Sequence, residues 1–324
     1  MKNNRIYSLL ILSTLILAVF LYGGLKIASA QIISSFTISP PVVSVDLNPG
    51  DKTQGLMKII NNTSSPLQYN MTIQDFDVTG TDGIPTILPI NTLSPKFSAS
   101  SWIGLDTQTI TVPAHTRTPF NYYIQVPKNA RPGGHYAAVM FSPVTSNTIN
   151  GSGAAVHTTI GSLFYVTVNG NIQESAKVEE FKANQLQEYS PITVNTIIRN
   201  DGDLHIRPIG SIKLTDMLGR VIAQQTLPQY NIFPGGGRRA YQNTFGRNMF
   251  MFGAYTAKLS ATYGKNNNLP LMATITIWIL PWKIIAVIIL VLIALLLIVK
   301  LLKKGNKVEK VEAEDKEQTP SAKA

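Results

Sequence analysis

The sequence contains no cysteine. That absence excludes disulfides, thiolate metal sites and cysteine nucleophiles. Small extracellular β-domains of animals are often stapled by disulfides, so a cysteine-free chain fits a bacterial surface better. Histidine is also scarce. His115, His135, His157 and His205 are scattered, with no i, i+4 pair of the kind that makes a helical zinc site. The chain lacks Gly-x-Ser-x-Gly, His-Glu-x-x-His and any acid pair at a recognisable spacing. The expectation is a non-catalytic protein with no cofactor. Helical periodicity is nearly missing between residues 31 and 280.

An excess of positive charge is present, but its placement matters more than its size. The formal net charge of the 324 residues is +10. The first 30 residues hold three basic and no acidic side chains, and the chain from Lys283 onward holds eight basic and five acidic. Between them, residues 31–282 carry 17 basic and 13 acidic. The excess therefore flanks the apolar ends, where membrane topology places it. Nucleic acid is not an expected partner.

The two ends predict export and anchoring. Lys2 and Arg5 precede an apolar stretch over 6–25, and Ala28-Ser29-Ala30 follows as a small-x-small cleavage pattern. Residues 1–30 are read as a signal peptide. Near the other end, 284–299 is an unbroken apolar run, and Leu301-Leu302 extend it past Lys300. With Pro281 and Trp282 it reaches the roughly 20 residues that a bilayer requires. Trp278 and Trp282 stand where interfacial aromatics belong. Lys300, Lys303, Lys304 and Lys307 crowd the far side, which places the tail in the cytoplasm. A single span over 281–302 and a basic, disordered tail over 303–324 are expected.

What lies between is strand-rich. Short β-prone runs recur between Pro, Gly and Asn clusters, in two sets. The expected fold is all-β: two immunoglobulin-like β-sandwiches in tandem, 31–172 and 173–280. The sets resemble each other. Ile59-Ile60-Asn61-Asn62 parallels Ile197-Ile198-Arg199-Asn200. Val112-Pro113-Ala114 parallels Phe233-Pro234-Gly235, and Gly134-His135-Tyr136 parallels Gly253-Ala254-Tyr255.

Ordered motifs in the first set carry a resemblance. They are Ser39-Pro40-Pro41, Leu47-Asn48-Pro49-Gly50, Ile59-Ile60-Asn61-Asn62, Ser101-Trp102-Ile103, Val126-Pro127 and Arg131-Pro132-Gly133-Gly134-His135-Tyr136. Over residues 36–168 the chain resembles the peptidoglycan-binding domain of WxL-type surface proteins of Gram-positive bacteria. The resemblance implies a cell-wall polymer as partner. It also implies a second β-domain, a transmembrane helix and a basic tail. The second set resembles that family's host-protein-binding domain in position and class, without a shared residue motif.

Several residues stand out as candidates for ligand contact. Trp102 either fills the core, the ordinary reading, or stacks on a sugar ring from a loop. Tyr123 alternates with the inward residues Phe120, Tyr122 and Ile124, so it faces outward. If Tyr136 faces the core, alternation turns His135 outward too. Arg238 and Arg239, after Gly235-Gly236-Gly237, suit an anion-binding turn or a soluble loop. Asp75, Asp77 and Asp82 have spacing like the start of a calcium loop, but the twelfth position is Thr86 rather than Glu; a hairpin turn is the simpler reading. The expected role is attachment to a cell-wall polymer or to other surface proteins. The alternative is a membrane-tethered scaffold for exported proteins, working by strand addition at an open sheet edge.

Overall fold

The computed structural model describes residues 36–89, 92, 96–144, 159–247 and 250–317, with side chains as far as Lys300. The expected signal peptide and His157 lie outside the described residues.

The alternating apolar runs form strands that close into two sandwiches. In the first, one sheet has the order β1 (Phe36–Ser39), β3 (Lys52–Asn61), β9 (Arg117–Gln125), β7 (Ile103–Leu105). The facing sheet has the order β2 (Val42–Leu47), β11 (Ile160–Val168), β10 (Gly133–Pro143), β4 (Leu67–Gln74), β8 (Thr109–Val112). Met57, Ile59, Ile124, Val139, Phe141 and Phe164 are fully buried between them. Strand alternation puts these residues on one face of each strand.

The second sandwich repeats the first strand for strand. Its sheets are β12 (Ala176–Lys182), β14 (Ile192–Asn200), β17 (Gly237–Phe245), and β13 (Leu186–Gln187), β19 (Leu269–Ile279), β18 (Gly253–Tyr263), β15 (Ile209–Asp216), β16 (Val221–Thr226). In each domain the second strand leaves its neighbour's sheet to pair in parallel with the last strand: β2 with β11, and β13 with β19. The chain crosses from one domain to the other between Val168 and Ala176. The first domain differs by an insertion between β4 and β8. It holds the hairpin β5 (Phe76–Asp77) and β6 (Thr86–Ile87), a 3-10 turn at Ser100–Trp102, and β7.

The repeat fixes a correspondence that sequence alignment misses by one residue. The last residues of β3 and β14 are Asn61 and Asn200, both buried. Asn61 Nδ2 donates to the carbonyls of Ser65, Val112 and Pro113, and its Oδ1 accepts from the Thr63 amide. Asn200 Nδ2 donates to the carbonyls of Leu204 and Ile232, and its Oδ1 accepts from the Gly202 amide. The sequence pairing set Asn62 against Asn200; the hydrogen bonds set Asn61 there.

A one-residue correction also applies at the late Gly-x-Tyr strand. β10 opens at Gly133 opposite Val168, and β18 opens at Gly253 opposite Ile279. His135 therefore corresponds to Tyr255, and both face their own cores. Tyr136 takes the opposite face. A one-residue offset exchanges the two faces of a strand.

That opposite face of β10 and β11 is covered by the second domain. Phe233 enters a cluster of Phe76, Val78, Tyr136, Ala138 and Tyr165. Its ring meets Tyr136 at 5.0 Å and Phe76 at 5.5 Å, both edge-on, the arrangement aromatic quadrupoles favour. Polar contacts frame the cluster. The Tyr136 hydroxyl meets His205 Nδ1 at 3.1 Å and accepts from the His205 amide at 2.9 Å. Lys96 pairs with Asp203 at 2.5 Å. The Gly134 amide donates to the Asp203 carbonyl. Gly133 has φ of 129°, and a side chain there would strike that carbonyl, so glycine allows both the turn and the close approach.

After β19 the chain enters α1 (Trp282–Glu317) with almost no linker. Its segment Trp282–Lys300 has a mean hydropathy of 3.2 and is long and apolar enough to cross a membrane. The helix continues through 303–317, where the sequence predicts disorder. Lys and Glu dominate that stretch and are both good helix formers.

Candidate functional site

The insertion in the first domain builds the site. Trp102 ends the 3-10 turn and leads into β7, which lies beside β9 with Gly104 opposite Tyr123. Tyr123 is 42% exposed. Trp102 is partly buried, packs on the core with one side and lines a groove with the other. The two aromatics thus share one groove of about 540 Å³, walled by Ser101, Gly104, Gln125 and Pro127. A Cβ on Gly104 would meet nothing, so the floor beside Tyr123 is open. A second hollow of about 410 Å³ continues across β9 to Lys52, Thr53 and Gln54. The lining is aromatic, amide and hydroxyl, with one cation at the end.

Two buried polar groups hold Trp102 in place. Asp75 is buried and accepts from the Ser98 hydroxyl at 2.7 Å and from the Ser100 amide at 3.0 Å. It satisfies amides that a 3-10 turn leaves free at its start. His135 is 1% exposed and its ring packs tilted against Trp102, 4.2 Å between ring centroids. Its ring nitrogens face the carbonyls of Ser98 and Arg131. Burial holds the imidazole below its usual pKa, against the two carbonyls, which favour its proton. The outward-facing His135 expected from alternation is therefore corrected. The expectation assumed that Tyr136 faces its own core, whereas Tyr136 faces the other domain.

Asp75→Ala should cost about 2 kcal/mol of first-domain stability, since it leaves the part-buried Ser100 amide and Ser98 hydroxyl without their acceptor and frees the turn. Urea unfolding measures this. In a Trp278→Phe, Trp282→Phe background, the emission of Trp102 should also shift to the red. An unchanged Trp102 spectrum would show that Asp75 does not hold the turn.

The other candidates separate. Asp75, Asp77 and Asp82 do not converge: Asp77 accepts from the Val78 amide and Asp82 from the Ile84 amide. No cluster of three metal-ligating side chains occurs among the described residues. The segment is a hairpin, with β5 paired to β6. The anion-binding turn is also corrected. The Gly235 and Gly236 amides are spent on the carbonyls of Gly202 and Asn200. Arg238 forks onto Glu179 at 2.7 and 3.1 Å. Arg239 lies over the Tyr230 ring at 4.0 Å and donates to the Asp82 carbonyl. These glycines serve close approach instead: a Cβ on Gly235 would press on Phe97 of the first domain.

Sequence reasoning missed a third hollow, of about 530 Å³, in the angle between the domains. Val42, Ser44 and Asp46 of β2 line one side, with His205, Arg207 and Lys265 on the other. No local motif marks it, because it exists only once two domains dock.

No protein-family model matches the chain, and no curated protein matches it. Among solved structures it is similar to the class 5 fimbriae chaperone CfaA, at 12% identity and a TM-score of 0.39, covering 74% of this chain and 98% of that one. It is similar to the YadV chaperone at 9% identity and a TM-score of 0.38, covering 75% and 100%. It is also similar to a chain of the CsuC–CsuE chaperone–tip adhesion subunit complex of Acinetobacter baumannii, at 7% identity and a TM-score of 0.35, covering 64% and 90%. At such identities these are likenesses of fold alone.

Proposed function

We propose that this chain is a non-catalytic, membrane-anchored surface protein whose first domain holds a cell-wall glycan in the groove between Trp102 and Tyr123. One observation carries the reading. Two aromatics 21 residues apart in sequence line one open groove on an outer sheet face. An aromatic face packs against the C–H face of a pyranose ring. Ser101, Gln125, Thr53 and Gln54 offer donors and acceptors for its hydroxyls, and Lys52 suits a carboxylate at the far end. The resemblance to the WxL peptidoglycan-binding domain supports the same ligand class. The apolar segment of α1 supplies the anchor, and Lys300, Lys303, Lys304 and Lys307 at its far end favour a cytoplasmic tail.

The test is a pull-down of detergent-solubilised full chain with isolated cell walls at low and high salt. Saturable binding is expected. Tyr123→Ala removes an exposed ring and should weaken it about tenfold, the equivalent of about 1.4 kcal/mol. Trp102→Ala should weaken it more but also thins the core. Folded protein that binds no wall preparation would end the wall-binding reading.

A second reading rests on β2. It is an edge strand, and among the described residues no strand pairs with its outer side. Its outward residues Val42, Ser44 and Asp46 border the inter-domain hollow. An extended segment of an exported protein added to that edge would lay side chains into the hollow. Co-purification of exported proteins, lost on Ser44→Pro, would favour it.

A further inference from the structure

We infer that the pole of the second domain next to α1 is itself a lipid-binding surface, seated in the interfacial layer of the membrane. This rests on the reading of α1 as a membrane span. The strand pairing brings separate loops to that pole. Gly253 lies opposite Ile279, Tyr255 opposite Asp216, and a Cβ on Gly253 would strike the end of Met217. The 217–219 turn, the 250–252 loop and the end of β19 are therefore neighbours. Each exposes large apolar side chains to solvent. Leu218 is 72% exposed, Phe250 79% and Trp278 56%, with Met217, Phe252 and Leu280 beside them. A folded domain rarely leaves such a group bare without a partner.

The position of the helix says which partner. Trp282 starts α1 two residues after Leu280, and its amide bonds to the Leu280 carbonyl at 2.7 Å. Lys283 of the helix pairs with Glu188 of the domain at 2.9 Å. The helix base is thus clamped to the pole and cannot hold it far from the bilayer. Length points the same way. The span Trp282–Lys300 covers about 28 Å at 1.5 Å per residue, no longer than the roughly 30 Å hydrocarbon core. A span with no length to spare keeps its flanks at the bilayer surface, so Trp282, Leu280 and Trp278 reach the headgroup layer that tryptophan favours. The exposed apolar loops then meet the same layer, as the apolar face of an interfacial helix does. Charge does not oppose this: Asp216 and Glu188 at the pole are paired with Arg220 and Lys283.

The consequence is a fixed stance. A domain held by a helix, two apolar loops and the end of β19 cannot swing freely, and the packed joint to the first domain passes that orientation on to the groove.

The native lack of cysteine makes the test direct. Single-cysteine variants Phe250→Cys, Leu292→Cys and Leu56→Cys of the full chain carry a nitroxide label in phosphatidylcholine vesicles. Collision with dissolved oxygen and with a water-soluble nickel chelate reports the depth of each label. The expected result is a nickel collision rate at Phe250 several-fold below that at Leu56, with Leu292 deeper still. A Phe250 label as open to nickel as Leu56, while Leu292 is in lipid, overturns the inference and leaves the span standing. A Leu292 label open to nickel overturns both. Shielding at Phe250 with spin–spin broadening that disappears on dilution with unlabelled chain assigns the pole to a second copy, and also overturns it.

Discussion

Asn200→Ala is expected to destabilise the second domain by about 3 kcal/mol, and Asn61→Ala the first by a similar amount. The reason is what each side chain leaves behind. Asn200 Nδ2 serves the carbonyls of Leu204 and Ile232, and its Oδ1 serves the Gly202 amide, all in a buried setting. Alanine removes three hydrogen bonds and supplies no partner for any of the groups. The stranded amide weighs most, because a buried unpaired N–H is tolerated less than a half-satisfied carbonyl. Asn61 makes the same kind of plug between the end of β3 and the turn before β9. Asn200→Asp sharpens the test. It keeps an acceptor for Gly202 but turns a carboxylate onto two carbonyls, so it should be no better than alanine. Urea unfolding of the full chain in detergent, followed by far-UV circular dichroism, gives the values. A loss below about 1 kcal/mol for Asn200→Ala would mean that water replaces the side chain at little cost.

These asparagines also show how the sequence is to be read. Both stood in the repeat that the sequence displays, as the end of a β-run at a polar turn. Alternation of apolar residues was enough to predict two sandwiches, because each sheet buries a face and the pattern must follow it. Alternation is a local signal, however. It cannot say whether the second face of a sheet is also covered. Tyr136 and His135 failed on that point. Both are buried, one in its own core and one under the neighbouring domain, so the outward position the sequence assigned to His135 does not exist. The hydrogen-bond register, rather than the Gly-x-Tyr spelling, decides which residue corresponds to which.

The candidate site was legible in part. Tyr123 was placed outward by simple alternation, and it is exposed. Trp102 was left between core and surface, and it does both. What the sequence could not show was their convergence, which depends on β7 pairing with β9 across 15–20 residues of intervening chain. Nor could it show that Asp75, read mainly as part of a hairpin turn, holds the turn that presents Trp102. The Gly235-Gly236-Gly237 turn with Arg238 and Arg239 was left between an anion-binding turn and a soluble loop. The Gly235 and Gly236 amides are consumed by the carbonyls of Gly202 and Asn200 in the repeat's own turn.

Acidification is expected to loosen the joint between the domains. The Tyr136 hydroxyl has one proton to give. It accepts from the His205 amide and lies 3.1 Å from His205 Nδ1, so it donates to that nitrogen only while Nδ1 is bare. Burial lowers the His205 pKa to about 4, with the Asp46 carboxylate pulling weakly the other way. In the unfolded chain the ring titrates near 6.5. Between those two values the unfolded state binds more protons than the folded one, so stability falls as pH falls. The contribution is complete above pH 6.5 and is lost on passing through about 4. Over the whole window it is at most roughly 3–4 kcal/mol, since each pKa unit is about 1.4. His135, also lowered by burial, adds a loss of the same sign in the first core. Asp201, lowered mainly by its hydrogen bond from Lys177, titrates below its usual 3.8 and so acts in a separate, more acid window. His205→Gln separates these sources. It cannot gain a proton, so the drop in urea midpoint between about pH 7 and about pH 4.5 should shrink by more than half relative to the parent chain. The parent alone should also show a longer distance between fluorophores placed on the two domains at the lower pH. If His205→Gln loses as much stability on acidification as the parent, the proton responsible binds elsewhere, and the joint is not a pH-sensitive contact.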